Sequence, residues 1–149
     1  DDPAGNRIGI SVAAGRVQSQ TLIAVRDVEA SSRWYQYVLG LQSDHGGPQY
    51  ERLISGGSLV LQLHNWDVEH DHGRIGDPGK EVGNGVLLWF GEVSDFDGAV
   101  ARAQELGAPV VLPPRNNGPG PAHREMWITD LDGYTVVIAS PDGETFGLA

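Results

Sequence analysis

The chain has 149 residues, 40% of them hydrophobic, with 20 acidic against 10 basic side chains and a formal charge of −10. That size fits one compact domain, or one domain made of two small halves. The acidic balance disfavours nucleic acid, whose phosphates it repels, and no apolar run approaches the ~20 residues of a membrane span.

Cysteine is absent, which excludes disulfides, thiolate metal sites and cysteine nucleophiles and fits a cytoplasmic protein. The start, Asp1-Asp-Pro-Ala-Gly5, carries no secretory pattern. The charge serves solubility first and would attract a cationic small molecule at long range.

Residues 1–16 are rich in Gly and Ala and read as a tail, or as an arm that adds to a partner's sheet. Residues 17–66 form a first module. Gln18 to Val25 reads as a strand with Gln18, Gln20, Leu22 and Ala24 on one face. Asp27 caps a helix in which Trp34, Tyr35 and Val38 recur at helical spacing, and Gly40 ends it. Leu41 to Asp44 and Gln49 to Ile54 read as strands, Gly56-Gly57 as a hairpin turn, and Leu59 to His64 as a fourth strand. Val60, Gln62 and His64 share one face of it.

Residues 67–83 are polar, Gly/Pro-bearing and aperiodic, a linker loop. Residues 84–141 restart the pattern. Val86 to Val93 is a strand. Ser94 or Asp95 caps a helix that runs through Leu106 and is ended by Gly107. Val110 to Leu112 is a short strand, and Pro113 to Pro121 reads as a loop. The flanks of Asp130-Leu-Asp-Gly133 are two strands, because the segment itself carries turn chemistry and its neighbours are β-branched and aromatic. Residues 142–149 are a C-terminal tail. The order is strand–helix–strand–strand–strand, twice: an α+β fold of two βαβββ repeats. Two such sheets, with their helices outside, can enclose a cavity.

Three stretches carry a resemblance: Asp27-Val-Glu-Ala-Ser-Ser-Arg-Trp-Tyr-Gln-Tyr-Val-Leu-Gly40, Ser58-Leu-Val-Leu-Gln-Leu-His-Asn-Trp66, and His123 to Ala139 with its Asp130-Leu-Asp-Gly133 turn. In this order they resemble the vicinal oxygen chelate superfamily of glyoxalase I, bleomycin-resistance proteins and extradiol dioxygenases. The resemblance implies a divalent ion held from the first and fourth strands of each repeat by His, Gln or Glu. Aligned by motif, those positions fall on Gln20, Gln62, Val86 and Val137. Valine donates to no metal, and an amide oxygen is a weaker ligand than a carboxylate or imidazole. The expectation is therefore no metal and no other cofactor. The resemblance also implies a homodimer, with cavities sometimes shared across chains.

Other candidates remain. His70-Asp-His72, with Glu69 beside it, could catch a transition metal, although solvated loop histidines are common. Glu51, His64, His123 and Glu125 are candidate acid–base groups, or else surface charge or salt-bridge partners. Trp66, Trp89, Trp127 and Phe90 are core, or else an aromatic clamp, with Trp66 expected at the mouth of the cavity. Two functions follow. The first is a metal-free binding protein of the resistance type, with no catalytic residues. It would hold an aromatic compound, cationic if the surface charge selects it, against Gln20, Gln62, His64, Trp66, Val86, Phe90, Trp127 and Val137. The alternative is a glyoxalase- or dioxygenase-like enzyme with a metal site rebuilt around His64, or with acid–base groups alone.

Overall fold

Asp27 and Asp95 start the two helices, and a left-handed glycine follows each. The computed structural model of the chain describes residues 15–67, 73–118 and 122–144. The first module contains β1 (Leu22–Val25), α1 (Val28–Leu39), β2 (Gln42–Ser43), β3 (Tyr50–Ser55) and β4 (Ser58–Asn65). The second contains β5 (Leu87–Phe90), α2 (Phe96–Glu105), β6 (Val110–Asn117), β7 (His123–Thr129) and β8 (Thr135–Ala139). The Asp27 side chain accepts from the Ala30 N–H at 3.0 Å, and the Asp95 side chain from the Gly98 N–H at 3.2 Å. Gly98 permits that approach, because a Cβ would lie 2.1 Å from the Asp95 carboxylate and displace it from the cap. Gly40, at φ +70°, returns its N–H to Gln36 O and ends α1.

The sheets have matching orders, β1-β4-β3-β2 and β5-β8-β7-β6. The first pair in each is parallel and the others antiparallel. The fold is thus α+β, two βαβββ modules, each a four-stranded mixed sheet with one helix packed on it. One core serves both: Leu53, Leu61 and Leu63 of the first sheet join Met126, Ile128, Val136 and Ile138 of the second, with Tyr35 and Phe96 from the helices. Fully burying such a side chain contributes about 1.5–3 kcal/mol. Among the described residues no helix is long and apolar enough to cross a membrane.

Several boundaries differ from the sequence reading. The strand expected from Gln18 begins at Leu22, and the one expected over Val86 to Val93 covers Leu87–Phe90 only. The larger correction is β6. Pro113 to Pro121 reads as a loop, yet Pro113 and Pro114 lie inside a strand that continues to Asn117. Proline lacks the N–H that a central strand needs, but β6 is an edge strand, and irregularities between Val110 and Leu112 and between Leu112 and Arg115 absorb the mismatch. His70 and His72 lie outside the described residues, as do 1–14, 119–121 and 145–149.

The Asp130–Gly133 turn clasps the modules together. Asp130 Oδ1 accepts the N–H groups of Asp132, Gly133 and Tyr134 at 2.9–3.0 Å, while Oδ2 accepts the Tyr35 hydroxyl of α1 at 2.5 Å. Asp132 takes the Arg26 backbone N–H and Nε at 2.9 and 3.0 Å. The Tyr134 hydroxyl donates to Ala24 O at 2.8 Å. Burial, then the neighbouring Asp130 charge, pushes the Tyr35 hydroxyl well above its ordinary value, so it stays the donor.

Candidate functional site

Strand alternation gives each sheet a helix face and an open face. In β4, Leu61 and Leu63 enter the core, so Gln62 and His64 face the other way. Tyr50 of β3 pairs with His64 and donates its hydroxyl to Gln62 Oε1. Gln62 Nε2 donates to the Gln20 carbonyl oxygen at 2.9 Å. Both ends of the Gln62 amide are thereby engaged by the protein, and Gln20, exposed before β1, contributes its backbone. His64 is buried, with its ring 5.8 Å from that of Tyr50. His45, Tyr50 and His64 line a cavity of about 420 Å³ with the Gly46-Gly47-Pro48 loop.

The open face of the second sheet is richer. Met126 and Ile128 take β7 into the core, so His123, Glu125 and Trp127 share the opposite face. Glu125 is 1% exposed, and side chains engage both its oxygens. Oε1 accepts Asn117 Nδ2 at 2.7 Å and lies 2.8 Å from His123 Nε2. Oε2 accepts Trp127 Nε1 at 2.9 Å and Arg115 Nη2 at 3.3 Å. Burial raises the Glu125 pKa, but His123, Asn117, Trp127 and the Arg115 charge outweigh it and hold it below its ordinary value, so it remains a carboxylate. His123 Nδ1 lies 3.4 Å from Asp142 Oδ1, so carboxylates engage both ring nitrogens. Trp89 of β5 meets the His123 ring edge-on, with centroids 5.8 Å apart.

The four ligand positions implied by the resemblance do not fit a divalent ion. Val137 is fully buried and pairs with Trp89 on one side and Trp127 on the other. Val86 stands just before β5, half exposed, with its N–H on Gly83 O at 2.9 Å. The alternation of β5 sends Leu88 to the core, so Leu87 and Trp89 lie beside Thr135 and Val137 on the open face. With two valines and one committed amide, the donor set is too poor for a metal. Among the described residues no group of three or more His, Asp or Glu side chains could hold one.

A cavity of about 600 Å³ lies where the modules adjoin. Leu39, Leu59 and Val60 line one side, and Trp89, Phe90 and Arg102 the other. Trp89 is 47% exposed, while Phe90 is half-buried with its ring 5.9 Å from Tyr35. Trp66 lines a different, smaller cavity with Arg26, Lys80 and Asp132, where Gly76 leaves room for its ring. The structure therefore gathers Trp89, Trp127 and Val137 on one face and Gln62 and His64 on another, with Trp66 apart from both. Glu51 faces helix α1 instead. It accepts Ser32 Oγ and Ser43 Oγ at 2.7 Å and the N–H groups of His45, Gly46 and Arg52 at 2.8–3.1 Å. The sequence reading named His123 and Glu125 without assigning them a face. It missed Arg115 and Asn117, which fell in the stretch read as loop. The alternation of His123, Glu125 and Trp127 with Met126 and Ile128 was the signal available.

Residues 17–138 match the model of the Glyoxalase/Bleomycin resistance protein/Dioxygenase superfamily. No curated protein matches the chain in sequence. Among solved structures it is similar to TioX from Micromonospora sp. ML1, at 19% identity and a TM-score of 0.61, covering 83% of this chain and 95% of that one. It is similar to the fosfomycin resistance protein FosX from Mesorhizobium loti at 17% and 0.60, covering 84% and 92%. A lactoylglutathione lyase from Agrobacterium tumefaciens gives 19% and 0.62, covering 90% and 99%. With most of its length inside the family model and the repeat present in its two sheets, the chain belongs to the Glyoxalase/Bleomycin resistance protein/Dioxygenase superfamily.

Proposed function

We propose that the protein binds an aromatic small molecule without a resident metal, with Trp89 as its principal contact. The observation that carries this reading is the exposure of Trp89, a large ring left 47% uncovered where the 600 Å³ cavity meets the open face of the second sheet. An exposed aromatic beside ordered polar groups is the usual make-up of a ligand site. At about 25 cal/mol per Å², burying ~200 Å² of apolar surface yields roughly 5 kcal/mol before ordering and association costs, which sets affinity near micromolar when polar contacts add to it. The acid–base alternative finds less support, since Glu51, His123 and Glu125 already have protein partners on their acceptor and donor atoms. The same reading takes the protein as a homodimer. Leu22 and Leu87 leave apolar surface at strand ends that a second copy would cover.

The test is fluorescence titration of wild type and Trp89→Ala with a panel of flat aromatic compounds, alongside elemental analysis of dialysed protein. Micromolar quenching that is lost in Trp89→Ala, at substoichiometric metal, is expected. Stoichiometric metal released by Gln62→Ala, or binding indifferent to Trp89, would overturn it.

A further inference from the structure

The open face of the second sheet carries a buried charge that the binding reading leaves unused, and its contacts indicate what sort of polar group a ligand would bring. Glu125 cannot receive that group. Its two oxygens are occupied by Asn117, His123, Trp127 and Arg115, and it is 1% exposed. His123 has carboxylates at both ring nitrogens, Glu125 at 2.8 Å and Asp142 at 3.4 Å. The Trp127 N–H is taken. Arg115 is different. Its side chain is 49% exposed, and it touches Glu125 through Nη2 alone, at 3.3 Å. A guanidinium has five N–H donors in a planar fork that matches a carboxylate, and one monodentate contact uses one of them. The fork is held at its root by the buried carboxylate and retains donors for a second acceptor.

We propose that Arg115, positioned by Glu125, recognises the carboxylate of an aromatic acid whose ring packs on Trp89. This inference rests on the aromatic-binding reading and names its ligand class. It runs against the bulk charge of −10, which would favour a cation. Bulk charge acts at long range and is screened beyond about 8 Å in physiological salt, whereas the guanidinium acts in contact. The sheet register places the parts on one face: Arg115 pairs with Glu125 and Glu125 with Ala139, next to the row Trp127, Val137 and Trp89. The small Ala139 beside Glu125 leaves that neighbouring position low.

The experiment compares 2-naphthoate, 2-naphthylmethanol and 2-naphthylmethylammonium by calorimetry, and follows the four tryptophan indole N–H resonances by NMR. The carboxylate should bind at least about tenfold tighter than the alcohol, and the ammonium weakest. Arg115→Gln should abolish the preference, bringing the carboxylate's affinity down to that of the alcohol. Glu125→Gln should reduce the preference and move the Trp127 indole resonance, because that N–H loses a charged acceptor. A merely structural role would weaken all three probes alike and leave their ratios intact. If the alcohol or the ammonium binds as tightly as the carboxylate, or Arg115→Gln keeps the preference, the anion inference fails and the aromatic reading stands. If no probe perturbs the Trp89 resonance, the aromatic reading itself fails.

Discussion

β3 and β7 are the same strand of the repeat, and each carries a buried glutamate, yet the two glutamates point to opposite faces. Glu51 pairs with Leu63 and turns to the helix side, where Ser32, Ser43 and three backbone N–H groups hold it. Glu125 pairs with Ala139 and turns to the open side, where only side chains hold it. In both, burial raises the pKa and the donors outweigh it, so both sit below the ordinary value of 4.5. A one-residue difference in register changes the face, and with it the role. Backbone donors cannot leave Glu51 without unmaking the β2–β3 connection. The donors of Glu125 are side chains, from the buried His123 to the exposed Arg115, that it holds in place. The first carboxylate stabilises the fold, and the second orders a binding face.

That contrast breaks most visibly in stability. Glu51→Ala leaves its donors buried without an acceptor, which should cost about 3–5 kcal/mol. A urea midpoint displaced by less than a third of that would place Glu51 on a par with Glu125. Asp130 offers an intermediate case, a carboxylate held partly by backbone and partly by the Tyr35 hydroxyl at 2.5 Å. Tyr35→Phe removes the shorter of the bonds that run from α1 to the turn, Ser31 Oγ to Asp132 at 3.3 Å being another, and should cost about 1.5–3 kcal/mol. The same measurement in Tyr37→Phe, whose hydroxyl meets the exposed Glu105, should show a far smaller change. Glu125→Gln keeps the volume and one acceptor oxygen, and Arg115 and Asn117 can turn to water. It should cost about 1 kcal/mol while reducing ligand preference, the reverse of the Glu51 pattern. A loss as large as that of Glu51→Ala would make Glu125 a fold residue.

Local chemistry made most of the fold legible in the sequence. Asp27 and Asp95 cap, Gly40 and Gly107 stop, and Gly56-Gly57 turns, as their residue types require. The repeat gave the two matching sheets. β6 was missed because the propensity of Pro113-Pro114 says loop, and only its edge position, a tertiary fact, permits a strand. The site was less legible for the same reason. Alternation assigns Gln62 and His64, or Glu125 and Trp127, to a face, but not what lies across from it. Nothing local in Arg115 or Asn117 announces that they converge on Glu125 from a neighbouring strand. Trp66 has the same surroundings in sequence as a cavity-mouth aromatic, and packs instead by Gly76.

The finest test of the comparison is its dependence on pH, where the predicted effects are smallest. A carboxylate whose folded pKa is depressed contributes stability that is present above its unfolded value and is lost as pH falls through the folded one. For Glu51 and Glu125 that window lies below 4.5. Asp130 has the opposite sign. Burial raises its pKa above 3.8 despite the Tyr35 and backbone donors, so its contribution is present at low pH and is lost as pH rises through the raised value. The wild type should therefore lose stability below 4.5 less steeply than two depressed carboxylates alone would dictate. Each group alters the slope by at most about 1.4 kcal/mol per pH unit. Glu125→Gln should flatten the acid limb by a fraction of that, because it removes one group that takes up a proton on unfolding less acidic than the native state allows. Urea midpoints at half-unit steps from pH 3 to 7 measure it, with the variant folded throughout because its cost at neutral pH is small. An acid limb as steep in Glu125→Gln as in wild type would mean that the open-face carboxylate is not held ionised by its four neighbours. The ordering role proposed for it would then lose its physical basis.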